Sequence, residues 1–171
     1  MSREVTSVTR IGNDLSNISD TVDELANPVE GVLNEQDYYA LKTALTEMLV
    51  NAIEHGNLGI TFNEKKVALE SNSFGNLLRQ RLAAADQRGR EVSVTFSMKD
   101  DSVSYIICDQ GAGFDPTKLP DLDDPESMWL ENGRGIQMSR ALVDEVNYNS
   151  TGNEVTLVKY LSDQPMESAM V

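Results

Sequence analysis

Between Glu35 and His55 the chain carries Tyr38, Leu41, Leu45, Met48, Ala52 and Ile53 at helical spacing, with Gly56 directly after them as a stop. A helix of this length with a continuous apolar side must bury it, so the rest of the chain has to supply an apolar layer to cover that side. Glu47, Asn51 and His55 follow one another at i, i+4 and share a second face. A polar row beside an apolar stripe is what a solvated helix shows, and equally what a helix lining a site shows.

The covering layer is legible on both sides of this helix. Glu4–Arg10 is short and rich in β-branched residues, which suits an opening strand, and Asn13 or Asp14 is placed as the N-cap of a helix running to about Ala26. Val92, Val94, Phe96 and Met98 alternate with polar residues as a half-buried strand does. Asp100-Asp101 then turns the chain into the more continuous apolar strand Val103–Cys108, giving an antiparallel hairpin. A helix from about Gly135 to Val146 and a last strand, Glu154–Leu161, follow. The expected class is an α/β two-layer sandwich, with helices on one face of a mixed sheet.

Two segments stand apart from this pattern. About 34 residues separate Gly56 from Glu91, and they hold two short helices, Asn63–Glu70 and Phe74–Ala85. This stretch carries Lys65, Lys66, Arg79, Arg81, Arg88 and Arg90, six of the chain's 14 Lys and Arg. Such a run is either a solvated face or a partner surface. The loop from Gln110 to about Asn132 contains Pro116, Pro120, Pro125, several acidic residues and the single tryptophan, Trp129. A loop this long is usually functional or unstructured. The expected organisation is one domain over 1–162 with an inserted helical segment at about 58–90 and a flexible tail at 163–171.

A formal net charge of −14 works against non-specific binding to nucleic acid, which needs a basic patch to release counterions. Cys108 is the only cysteine, which leaves no internal disulfide and no zinc-type spacing. Met1–Arg10 has no basic-then-apolar run, and no stretch approaches the roughly 18 apolar residues of a membrane span. The expected setting is cytoplasmic, without direct contact to nucleic acid or membrane.

Three short stretches hold the groups capable of chemistry. Asp109-Gln110-Gly111-Ala112-Gly113-Phe114 puts a carboxylate at the end of a buried strand, beside glycines that allow a planar ligand near the backbone. That carboxylate suits an exocyclic amine such as that of adenine, and it equally suits a tight turn capped by Asp. Asn132-Gly133-Arg134-Gly135-Ile136 lies directly before a helix, where backbone N–H groups and the helix dipole attract an anion; an ordinary loop-to-helix junction has the same composition. Glu47 is a candidate general base, and Asn51, one turn on, offers the neutral oxygen that Mg²⁺ accepts. His55, near a helix end, more often interacts with the dipole or caps carbonyls than performs catalysis.

Taken in order, helix Glu-x-x-x-Asn, strand Asp-x-Gly-x-Gly, and a loop ending Gly-x-Gly before a helix resemble the N, G1 and G2 boxes of the histidine-kinase-like ATPases. Within that superfamily, Asn51-Ala52-Ile53-Glu54-His55-Gly56, Asp109–Pro116 and Gly133-Arg134-Gly135-Ile136 with Met138 and Arg140 are similar to the anti-sigma-factor serine/threonine kinase branch. The resemblance implies a Bergerat-type ATP-binding fold. It implies that Asp109 accepts the adenine amino hydrogen bond, that Gly111 and Gly113 admit the nucleotide, and that Asn51 ligates Mg²⁺. Gly133, Arg134 and Gly135 then contact the phosphates, and Glu47 activates the attacking hydroxyl. The implied substrate is an anti-anti-sigma-like protein, the implied second partner a sigma factor, and the implied assembly a homodimer. The inserted segment departs from the compact members of that branch. The alternative reading is a nucleotide-gated module that sequesters a sigma factor or another protein without kinase activity.

Overall fold

A computed structural model describes residues 4–118 and 134–161. The strands are β1 (Val5–Ile11), β2 (Val92–Met98), β3 (Ser102–Cys108), β4 (Glu145–Tyr148) and β5 (Glu154–Tyr160), and the sheet runs β1-β2-β3-β5-β4. The helices are α1 (Ile18–Ala26), α2 (Glu35–Asn51), α3 (Phe62–Glu70), α4 (Phe74–Gln87) and α5 (Arg134–Leu142).

Period-two alternation explains the layering. Val92, Val94 and Phe96 of β2, Val103, Tyr105 and Ile107 of β3, and Val155 and Leu157 of β5 are all buried. The intervening Ser93, Thr95, Ser97 and Ser104 are polar, as on a sheet covered on one face only. Against the covered face lie Leu41, Leu45, Met48 and Leu49 of α2 with Val22 and Leu25 of α1 and Ile136 of α5. Burying each such aliphatic side chain contributes roughly 1.5–3 kcal/mol. The fully buried Tyr105 hydroxyl is satisfied, because its Oη donates to the Leu25 carbonyl at 2.9 Å. Among the described residues no helix is long and apolar enough to cross a membrane.

The two-layer α/β class, the β2–β3 hairpin and an N-cap at Asp14 are as expected, and three details differ. The sheet is not mixed: each described pairing is antiparallel. The expected helix to Val146 ends at Leu142, and Glu145–Tyr148 forms β4, a short strand whose hydrogen bonds come from β5. Val146 sits at helical spacing from Leu142, so local pattern favours continuing the helix; the tight Asn149–Gly152 turn returns the chain as a hairpin instead. Of the two expected caps, Asp14 serves, accepting from Ser16 N at 2.9 Å at the head of a 3-10 turn, Leu15–Asn17, that leads into α1, whereas Asn13 is drawn inside to bond Asn57 and the Arg90 carbonyl. Finally, α2 does not run regularly to a stop at Gly56. It widens into a π-helical turn, Ala52–Asn57, a feature that recurs where a helix borders a functional site.

Between the π-helical turn and β2 lies an α3–α4 helix pair with its own fastenings. Thr61 and Glu64 form a capping box at the start of α3. Arg81 on α4 donates to the Gly59 carbonyl at 2.9 Å and meets Glu64 at 2.5 Å. Lys65 reaches back to Glu54, a carboxylate only 4% exposed, at 2.6 Å. A buried charge is tolerated only when paired, so this contact ties α3 to the π-helical turn.

Candidate functional site

The end of β3, the π-helical turn and the β4–β5 turn enclose a cavity of about 450 Å³. Met48, Ala52, Ile107, Ile136, Tyr148 and Val155 give it largely apolar walls, and Asp109 places a carboxylate on it. The carboxylate is held from below. Its Oδ1 accepts the Gly111 N–H at 2.8 Å, and a side chain at Gly56 would overlap the carboxyl group. A side chain at Gly111 would in turn collide with the Gly56 carbonyl. Glycine at both positions is therefore required by the close approach of Asp109 to the turn. Burial pushes the Asp109 carboxyl up to about 6, against the pull of the Gly111 N–H and the Arg90 charge. A buried, ionisable acceptor on an apolar slot suits a flat ligand with an N–H donor on its edge.

Behind this, a polar network fixes the turn. Asn57 Nδ2 donates to Asn13 Oδ1 at 2.7 Å, and Asn57 Oδ1 accepts from Gln110 N at 2.7 Å. Arg90 donates to the Asn57 carbonyl, also at 2.7 Å. The residue after Asp109 is thus hydrogen-bonded to the turn that underlies it.

A second cavity, of about 430 Å³, continues from the first and shares Asn51, His55, Phe62 and Ile136 with it. Glu47, Lys65, Lys66, Glu70, Arg134 and Gly135 supply its polar lining. A Cβ at Gly135 would stand 2.5 Å from Glu47 Oε2 and 3.7 Å from Asn51 Nδ2, so the start of α5 lies directly against the two polar residues of α2. His55 sits between the cavities with its ring 4.1 Å from that of Phe62, centroid to centroid. Its Nδ1 donates to the Ile60 carbonyl at 2.5 Å, and burial holds the imidazole below its usual pKa. The bond to the Ile60 carbonyl fixes the orientation of the ring.

An apolar slot with the buried Asp109 carboxylate on it lies beside a polar chamber at the start of α5, and the sequence pattern of the histidine kinase-like ATPase domain covers residues 13–159. The chain belongs to that family. Curated relatives of this histidine kinase-like ATPase include the Serine-protein kinase RsbW of Bacillus subtilis (strain 168), 27% identical over 150 residues covering 78% of this chain and 92% of the relative. The Serine-protein kinase RsbW of Bacillus velezensis is 28% identical over 138 residues, 77% of this chain and 69% of the relative. That of Oceanobacillus iheyensis is 22% identical over 134 residues, 74% and 68%.

Of the residues singled out from the sequence, the ATPase fold brings Glu47, Asn51, Arg134 and Gly135 onto one cavity and Asn51, Asp109 and Gly113 onto the other. Gly111 is not on either lining; it lies under Asp109. Gly113, at φ +74°, lies against the Thr151 carbonyl of the β4–β5 turn while still facing the first cavity. Gly133 and Trp129 lie outside the described residues, as does the tail from Ser162 onward. Sequence reasoning missed Gly56 as the seat of Asp109, the Asn13–Asn57 pair, and the contribution of α3. Phe62, Lys65, Lys66, Leu69 and Glu70 recur at i, i+3, i+4, i+7 and i+8, so a helical face was visible, but not what it faces.

Proposed function

We propose that this chain binds Mg·ATP across the two joined cavities and transfers the terminal phosphoryl group to a serine or threonine hydroxyl of a protein partner. The observation that carries the reading is continuity. Asp109 marks a base-sized apolar slot, and the slot opens onto Glu47, Asn51, Arg134 and Gly135.

In this reading Asp109, ionised, accepts the adenine amino hydrogen bond, while Met48, Ile107 and Ile136 exclude water around the ring. Arg134 and the backbone of Gly133 and Gly135 hold the phosphates at the positive end of α5. Asn51 would hold Mg²⁺. The Asn51 amide oxygen beside the Glu47 carboxylate would be an oxygen donor set of the kind a hard cation takes, and the bound ion's chemistry would be to neutralise phosphate charge. The Glu47 carboxylate takes the proton of the incoming hydroxyl. The new P–O bond forms at the acceptor oxygen, the bond from the terminal phosphorus to the bridging oxygen breaks, and ADP leaves with that electron pair.

The acceptor in this proposal is an anti-anti-sigma-like protein, with a sigma factor as the second partner; both rest on the kinase-branch resemblance, while the names of the relatives, serine-protein kinases, support a serine acceptor. The test is incubation with γ-labelled ATP, Mg²⁺ and a host lysate, alongside Glu47→Ala. A discrete labelled protein with the wild type alone supports the kinase. Retained ATP binding by calorimetry with no labelled protein overturns the transferase and leaves a nucleotide-gated binding module.

A further inference from the structure

The two cavities meet at a waist. Among the described residues Asn51, His55, Phe62 and Ile136 line both, and of these Phe62, the first residue of α3, lies outside the three motifs. Its place is fixed from two sides. The Thr61–Glu64 capping box sets where α3 begins, and the His55 ring packs against the Phe62 ring at 4.1 Å between centroids, tilted by 41°. His55 is oriented in turn by its bond to the Ile60 carbonyl, and Lys65 ties the same turn of α3 to the buried Glu54 at 2.6 Å. Even so, Phe62 is 41% exposed, so the contact with His55 leaves part of the ring open to the cleft. In a ligand whose base lies against Asp109 and whose phosphates lie past Asn51, the group at the waist is the sugar.

We propose that Phe62 is a nucleotide-binding residue whose ring packs on the ribose, so that α3 distinguishes a nucleotide with an intact sugar ring from a ligand that offers only base and phosphates. The inference rests on the ATP-binding reading above and extends it to a helix which that reading does not use. In that reading Asp109 meets the base and the start of α5 meets the phosphates, which leaves the sugar to the residues of the waist. The face of an aromatic ring carries partial negative charge and accepts the weakly positive C–H edge of a sugar. The contact also removes apolar area of both partners from water.

The test is calorimetric titration of the full chain with Mg·ATP and with an acyclic analogue that keeps the adenine and the triphosphate but replaces the ribose ring by an open chain. Wild type, Phe62→Ala and Phe62→Tyr are compared. The expected result for Phe62→Ala is a loss of ATP affinity of about fivefold to tenfold, the scale of one lost apolar contact, with the analogue held at its wild-type affinity. Phe62→Tyr, which keeps the ring, is expected to bind ATP as the wild type does. In the wild-type complex, nuclear Overhauser effects should connect the Phe62 ring protons, assigned by their loss in Phe62→Ala, to the ribose protons of bound ATP. Their absence overturns the inference alone. So does a Phe62→Ala variant with undiminished ATP affinity, and so does an equal fall for both ligands, which marks a structural effect on the whole cleft. A wild type that binds neither ligand overturns the ATP-binding reading, and this inference with it.

Discussion

The two ends of the cleft are built from different materials. At the Asp109 end, backbone meets backbone: the carboxylate rests on Gly56, Gly111 rests on the Gly56 carbonyl, and Gly113 rests on the Thr151 carbonyl. At the Glu47 end the lining is mostly long side chains, Glu47, Lys65, Lys66, Glu70 and Arg134, carried on three separate helices. Close-packed backbone leaves no room for adjustment, whereas long side chains re-aim by changing rotamer. In the proposed ATP-binding reading, the first end specifies one ligand edge and the second can be retuned by single substitutions.

The sharpest way to break this contrast is Gly56→Ala. The added methyl must displace Asp109 or the turn, so ATP affinity should fall by two orders of magnitude or more, with a stability loss of about 1–3 kcal/mol from overpacking. Calorimetry and denaturant unfolding read the two effects. A variant with near-normal ATP binding would show that the base end is as pliant as the other.

Asp109→Asn tests the same end through charge. The carboxyl titrates at about 6 in the fold against an ordinary 3.8, so the ionised acceptor is lost as pH falls through 6. ATP affinity of the wild type should decline below that pH, approaching about tenfold per pH unit, while Asp109→Asn binds weakly at all pH values. The sign for stability is opposite. A raised carboxyl pKa costs the nucleotide-free fold as pH rises from 3.8 to 6, so the Asn variant should be relatively more stable above pH 6. A flat wild-type binding profile between pH 5 and 7 would remove Asp109 as the acceptor.

At the other end, Lys65→Met strands the buried Glu54 carboxylate and should destabilise the fold by about 1–3 kcal/mol. Glu54→Gln in the same chain should recover part of that loss, and a double-mutant cycle by thermal melting measures the coupling. The smallest effect is expected for Thr61→Ala, which removes one side of the capping box on α3. About 1 kcal/mol and faster amide exchange confined to α3 are the expected readouts, with ATP affinity shifted less than by Gly56→Ala.

How much of this was readable without coordinates varies by residue. The apolar stripe of α2 was read correctly, and Leu41, Leu45 and Met48 are buried as expected. The α3–α4 pair was placed within about two residues at most boundaries, because capping residues and helical spacing are local signals. Strand β4 was lost because four residues carry too little period to outweigh a neighbouring helix, and because its stability comes from pairing with β5. The π-helical turn was invisible for a related reason: its wide path is held by Leu58 N to the Ile53 carbonyl and by Asn57's bonds to Asn13 and Gln110, residues far apart in the chain.

By itself, the sequence determined most of the helices and strands other than β4 and the π-helical turn, which faces are apolar, and which three motifs follow one another, because period and spacing are properties of neighbouring residues. The tertiary structure alone decided that Gly56 seats Asp109, that Gly135 meets Glu47 and Asn51, and that α3 turns Lys66 toward the cleft. These depend on contacts such as Glu54 with Lys65 and Asn13 with Asn57, and no local pattern encodes the direction in which a buried charge or amide will find its partner.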